Sequence, residues 1–176
     1  MTSAPDSATP TVADIRARAL SLLSRREHSR YELERKLRER GLPAPEIAAV
    51  LDDLEHSGQL QDARMVETYV AERLAKGFGP LRVRAELQAR GIEDALIDSH
   101  LHLNDERCFE LLCRADQQRH GTRPCTANPE EALANPPDDR RAQRRALARR
   151  ARFLEYRGFP AHLIARLLSH DDTLSP

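Results

Sequence analysis

The sequence predicts an all-α protein built as a tandem array of three three-helix repeats of helix-turn-helix type, elongated and curved. Three observations lead to this prediction. Apolar residues recur at intervals of three and four, without the strict alternation that is typical of strands. Capping residues and glycines mark where helices begin and end. One glycine-centred motif occurs three times, which indicates an internal repeat.

The two ends of the chain carry no helical pattern. Residues 1–12 are small, polar and Pro-containing, so we expect a disordered leader there. Residues 171–176 are expected to form a short tail. The first repeat is predicted over residues 13–57, and its first helix carries an apolar stripe at helical spacing. The members of that stripe are Ile15, Ala19, Leu22 and Leu23.

The second and third helices of this repeat are marked by their ends. Ser29 and Glu32 stand three positions apart and predict a capping box, in which each side chain takes one free backbone donor. Gly41 then ends the helix, because glycine adopts the left-handed conformation without a steric penalty. Pro43 and Pro45 open the third helix, where a missing amide donor costs nothing.

The second repeat is predicted over residues 58–104. Within it, Gly77, Gly79 and Pro80 end one helix and start the next within four residues. This Gly-x-Gly follows a helix and lacks a third glycine at nucleotide-binding spacing, so it is interpreted as a turn rather than a phosphate-binding loop.

The repeated motif is centred on Gly41, Gly91 and Gly158, which are 50 and 67 positions apart. Each glycine has a Leu four positions before it, an Arg one position before it and an apolar residue one position after it. The third repeat is predicted over residues 105–170. Its extra residues are assigned to an exposed Pro-rich insert at about residues 119–139.

Composition and motifs argue against catalysis, export and a membrane span. The chain has no nucleophile-elbow, phosphate-loop or zinc-protease motif. His100 and His102 point about 200° apart on a helix, so they cannot grip one metal ion. No segment reaches the roughly 20 apolar residues of a membrane helix. We expect a cytoplasmic protein with no catalytic residue, metal or cofactor, in which the buried thiol of Cys108 is a small core group.

One basic segment stands out in a chain with 28 basic and 28 acidic residues. Its seven arginines, with no acidic residue among them, are Arg140, Arg141, Arg144, Arg145, Arg149, Arg150 and Arg152. On a helix they predict a basic stripe for phosphate or carboxylate groups of a partner. A second, weaker group comprises Arg82, Arg84 and Arg90. The alternative is that these arginines pair with acidic helices of the same chain.

Residues 60–92 contain a further set of residues at characteristic spacing, which are Asp62, Arg64, Tyr69, Val70, Lys76, Gly77, Phe78, Gly79, Pro80, Glu86, Leu87, Arg90, Gly91 and Ile92. With these residues the segment closely resembles the RecX family of bacterial regulators of the RecA recombinase. The likeness extends through residues 29–54 and to the closing motif of Arg157, Gly158 and Phe159 with Ile164. Two departures are Met65-Val66, in place of a more usual aromatic-small pair, and the Pro-rich insert.

The resemblance implies a non-enzymatic protein that lodges in the groove of the RecA filament on single-stranded DNA. It would limit filament growth, ATP hydrolysis, strand exchange and coprotease function in recombination and the SOS response. Weak direct binding to DNA without RecA is left open. No motif of the family assigns a single functional residue. We expect a monomer, with a weak dimer through uncapped array ends left open.

A helix-turn-helix transcriptional regulator is the alternative function, because three short helices with a glycine turn also describe that motif. Such a regulator binds duplex DNA tightly and selectively. The zero net charge and the three shallow repeats favour the filament regulator.

Overall fold

The computed structural model of the chain describes residues 11–121 and 137–172. Within these ranges every regular element is an α-helix and there is no strand, which confirms the all-α prediction. The helices are α1 (Val12–Leu23), α2 (Arg30–Arg38), α3 (Ala44–His56), α4 (Asp62–Ala75), α5 (Pro80–Gln88), α6 (Asp94–His100), α7 (Asp105–His120), α8 (Pro137–Arg157) and α9 (Ala161–Asp172).

Three sequence predictions fall wholly or mostly outside the described residues. Of the leader, only Thr11 and Val12 are described, and Val12 begins α1. Residues 122–136 of the Pro-rich insert and residues 173–176 of the tail also lie outside. The predicted boundaries between repeats fall in the connections between α3 and α4 and between α6 and α7.

The chain divides into two compact units, and the second predicted repeat contributes to both. One unit combines Met1–Thr68 with Leu87–Leu96. The other combines Tyr69–Glu86 with Ile97–Pro176.

In the first unit, α1, α2 and α3 pack on one another. Capping boxes begin the first two helices, at Thr11 for α1 and at Ser29 for α2, as predicted for the second. Gly41 has a φ of 72°, which confirms its left-handed conformation. Met65 and Val66 are both buried, so the flexible Met fills a core position. The core comprises Ile15, Ala19, Leu33, Leu37, Leu42, Ile47, Val50, Leu51, Leu54 and Leu60.

In the second unit, α7, α8 and α9 pack on one another. The side chain of Asn104 accepts a hydrogen bond from the backbone of Arg107 and so caps α7. Cys108 is 3% exposed, which confirms the prediction that it is a core residue. The core comprises Cys108, Leu111, Leu112, Ala115, Leu154, Phe159, Leu163 and Ile164.

Candidate nucleic-acid interface

In the first unit, the glycine turn after α5 lies against the start of α2. The hydroxyl of Ser29 donates a hydrogen bond to the backbone oxygen of Arg90 over 2.6 Å. A Cβ atom on Gly91 would lie 2.5 Å from Cβ of Tyr31, so only glycine allows this approach. The Arg90 guanidinium forms an ion pair with Glu32, with 3.4 Å between Nε and Oε1. Arg90, a candidate interface residue, therefore takes part in a contact between two repeats.

Glu32 is a buried carboxylate, only 6% exposed, that several donors stabilise. It accepts hydrogen bonds from the Arg26 guanidinium and from the backbone N–H of Ser29. Burial alone would raise its pKa, but these hydrogen bonds and the charges of Arg26 and Arg90 bring the pKa of Glu32 below its ordinary value. Glu32 therefore stays ionised and neutralises part of the positive charge around it.

The second unit contains the same kind of contact, made by the turn at Gly158 and the start of α5. The backbone N–H of Gly79 donates to the oxygen of Arg157 over 2.7 Å, and that of Leu81 donates to the oxygen of Gly158 over 3.1 Å. A Cβ atom on Gly79 would overlap the Gly158 carbonyl group. Gly79 and Pro80 lie in a turn, as predicted, because α5 begins at Pro80. The turn at Gly158 packs against this start of α5 and accepts hydrogen bonds from its first backbone N–H groups.

Three guanidinium groups surround the ring of Phe78 beside this contact. Their central carbons lie 3.6 Å (Arg73), 4.5 Å (Arg157) and 5.0 Å (Arg82) from the ring centroid, within the range of cation–π attraction. Glu86 forms ion pairs with Arg73 and Arg82. The cluster therefore carries three positive charges against one carboxylate.

The second group of candidate arginines is bound to carboxylates. Arg82 pairs with Glu86, and Arg84 forms an ion pair with Asp98. Arg90 pairs with Glu32, as described above. A phosphate group would have to compete with these internal partners.

The seven candidate arginines of the basic segment lie on more than one face of helix α8. Five have exposed side chains and no ion-pair partner among the described residues; Arg140 lies in the first helical turn. Arg150 faces the opposite way, and its Nη2 and Nε lie 2.5 and 3.1 Å from the two carboxylate oxygens of the buried Asp116. The exposed five are Arg141, Arg144, Arg145, Arg149 and Arg152.

The described residues contain no group of three or more metal-ligating side chains. Burial, with a smaller contribution from Asp105, raises the pKa of the Cys108 thiol to about 11. That thiol is therefore protonated at neutral pH and is a poor nucleophile. No helix among the described residues is long and apolar enough to cross a membrane.

These features define a class of all-helical proteins made of tandem three-helix domains. The profile of the first three-helix domain of RecX matches residues 16–54, and that of the second matches residues 62–101. The regulatory protein RecX of Pseudomonas savastanoi pv. phaseolicola is 40% identical over 164 residues, covering 91% of this chain and 96% of the relative. That of Ectopseudomonas mendocina is 40% identical over 154 residues, covering 88% and 92%. The chain belongs to the RecX family.

Solved structures agree with this at the level of the fold. The crystal structure of RecX from Lactobacillus salivarius superimposes with a TM-score of 0.67 at 20% identity, covering 92% of this chain and 97% of that one. A second crystal structure of a regulatory protein RecX gives a TM-score of 0.61 at 22% identity, covering 86% and 70%.

Proposed function

We propose that this protein binds the filament that RecA forms on single-stranded DNA and negatively modulates RecA in recombination and the SOS response. The observation that carries the proposal is the 40% identity, over 164 residues, to a relative whose name is Regulatory protein RecX. The protein acts as a cytoplasmic monomer by binding, without a cofactor or catalytic residue of its own. It lowers filament growth, ATP hydrolysis, strand exchange and coprotease function.

The exposed arginines of α8 supply the attraction to the filament. Arg141, Arg144, Arg145, Arg149 and Arg152 are exposed, and no carboxylate among the described residues pairs with them. Guanidinium groups match phosphate oxygens bidentately, and contact with DNA phosphates releases condensed counterions. Arg82, Arg84 and Arg90 are secondary candidates, because each already has an internal carboxylate partner.

The test is a titration of the ATPase activity of RecA on single-stranded DNA at about 50 and 200 mM salt. We expect sub-stoichiometric inhibition that weakens at the higher salt concentration. Changing Arg141, Arg145, Arg149 and Arg152 together to Gln should reduce inhibition and flatten its salt dependence. No inhibition by the unaltered protein at any ratio would remove the proposal.

A matched control removes the same charge elsewhere. Arg18, Arg25, Arg35 and Arg40 are also exposed, and all four belong to the first unit. Their combined change to Gln should leave inhibition close to that of the unaltered protein. Equal losses in both variants would show that net charge alone matters, and selective binding of one duplex sequence would favour the transcriptional regulator.

A further inference from the structure

An exposed tyrosine continues the arginine stripe of α8. Starting at Arg141, the residues at intervals of four, four, three and four are Arg145, Arg149, Arg152 and Tyr156. At about 100° and 1.5 Å per residue, all five lie within an arc of about 80° along about 22 Å of the helix. Every member is exposed, and Tyr156 is 69% exposed.

The ring of Tyr156 is supported from one side. The guanidinium carbon of Arg82 lies 4.6 Å from the ring centroid. Arg82 is itself fixed, because its Nε lies 3.0 Å from a carboxylate oxygen of Glu86 and its Nη1 donates to the backbone oxygen of Tyr156 over 3.0 Å. A ring held in place loses little conformational entropy when a ligand stacks on it.

The stripe and the ring together select one class of ligand. Rows of arginine attract any polyanion, but an exposed aromatic ring at the end of such a row adds stacking on the flat face of an unpaired base. In a duplex, those faces are already stacked on one another. An acidic protein segment offers carboxylates to the arginines but no base to the tyrosine.

We propose that Arg141, Arg145, Arg149 and Arg152 form a track for the phosphates of single-stranded nucleic acid, with Tyr156 stacking on one base. The proposal deepens the filament function above and rests on it for the choice of partner. It adds a feature that charge alone cannot provide, which is a preference for unpaired over paired strands.

The experiment measures binding of a fluorescent oligothymidylate of roughly 20 nucleotides to the full chain without RecA. Anisotropy is read at several salt concentrations, with a duplex of equal length in parallel. Tyr156→Ala should weaken single-strand binding about 5- to 100-fold and leave duplex binding nearly unchanged. Tyr156→Phe, which keeps the ring, should bind like the unaltered protein.

Three further variants separate the contribution of stacking from those of charge and of folding. Tyr156→Ala should keep the slope of log affinity against log salt, whereas Arg149→Gln should reduce its magnitude by about 0.7. Tyr156→Leu keeps an apolar side chain without a π face and should lose affinity like the Ala variant. Tyr31→Ala is the control for loss of an exposed ring elsewhere, because Tyr31 is 48% exposed and lies in a groove that combines Arg30 with the three carboxylates of Glu34, Asp62 and Glu93.

Three results would overturn the track: equal single-strand affinity with and without the ring, an equal loss on the duplex, or no binding of the oligonucleotide at all. If the protein still inhibits the RecA ATPase in the last case, the filament function stands and the stripe faces acidic protein. Ring-dependent oligonucleotide binding without any effect on RecA would support the track and remove the filament function.

Discussion

The two contacts between repeats join equivalent segments of the chain through different chemistry. In the first unit, the Ser29 hydroxyl bridges to the oxygen of Arg90. In the second unit, Gly79 occupies the equivalent position, 50 residues on, and its backbone N–H bonds directly to the oxygen of Arg157. The contact at Ser29 depends on a side chain that a substitution can remove. The contact at Gly79 is made by the backbone and leaves no room for a side chain.

The charge at one equivalent position differs between the two contacts. Glu32 and Arg82 are equivalent positions, also 50 residues apart, yet one is acidic and the other basic. Glu32 accepts the guanidinium of Arg90, while Arg82 binds Glu86 and supports the ring of Tyr156. Equivalent segments of the chain thus form both contacts, but the charge at this position is not repeated.

The three motif glycines allow the comparison to be tested as a graded series. Their φ values are similar, at 72° for Gly41, 73° for Gly91 and 86° for Gly158, so the backbone strain of a substitution is similar too. Their surroundings differ. A Cβ atom would meet nothing at Gly41, the Tyr31 side chain at Gly91, and the backbone of Arg82 at Gly158.

The largest effect is expected for Gly158→Ala. The new Cβ would lie 2.5 Å from the backbone nitrogen of Arg82, which cannot move without displacing the start of α5. Left-handed strain and overpacking together should lower the free energy of unfolding by about 3 kcal/mol or more. Urea unfolding followed by circular dichroism measures this, and a loss below that of Gly91→Ala would contradict the backbone contact.

Gly91→Ala should lower the free energy of unfolding by about 2 kcal/mol, and Gly91→Val by at least as much. The strain is joined by a clash with Tyr31, whose ring can rotate away although its Cβ atom cannot. Gly41→Ala is the control. With open space around it, it should cost only the conformational strain of about 1 kcal/mol. Equal melting temperatures for the Gly91 variants and the unaltered protein would show that this turn does not pack against Tyr31.

Ser29→Ala should lower the free energy of unfolding by about 1 to 2 kcal/mol, because it removes both the helix cap and the hydrogen bond to Arg90. Ser29→Gly should destabilise the folded chain less than Ser29→Ala, because glycine is tolerated at the N-cap and only the hydrogen bond to Arg90 is fully lost. Thermal unfolding of both variants separates the two contributions. A neutral Ser29→Ala variant would mean that the hydroxyl does not hold this contact.

The smallest expected effect is a dependence of folding stability on pH, caused by His28 near the first contact. His28 is buried, and burial lowers its pKa, with the charges of Arg26 and Lys36 adding to the effect while Glu32 opposes it. The unfolded chain therefore binds a proton more readily, so stability is lost as pH falls below about 6.5. The loss should stay below about 1.4 kcal/mol per pH unit.

Melting temperatures between pH 7.5 and 5.5 measure this dependence, with His28→Gln as the control. Neutral His28 accepts at Nε2 from the Lys36 ammonium and donates at Nδ1 to the oxygen of Arg26, and protonation would remove the acceptor. The Gln variant should flatten the profile. An identical profile would assign the acid sensitivity to other groups.

The sequence by itself determined the features that depend on neighbours along the chain. The helical class, the capping box at Ser29 and the left-handed glycine at Gly41 were all predicted and are confirmed. Each is decided within one or two helical turns, by side chains that reach their own backbone or by a glycine that avoids its own Cβ clash. Such local choices need no knowledge of the fold.

Only the tertiary structure decided which arginines remain available to a partner. Arg150 pairs with Asp116, 34 positions away, and Arg90 pairs with Glu32. Both arginines are therefore less available to a partner than their exposed neighbours, although the charge of the side chain is the same. Tyr156 was not among the predicted interface residues, although its spacing from Arg149 and Arg152 already places it on the same helix face. The physical reason is that ionic contacts form through space, and a run of charges does not reveal which of them face a buried carboxylate.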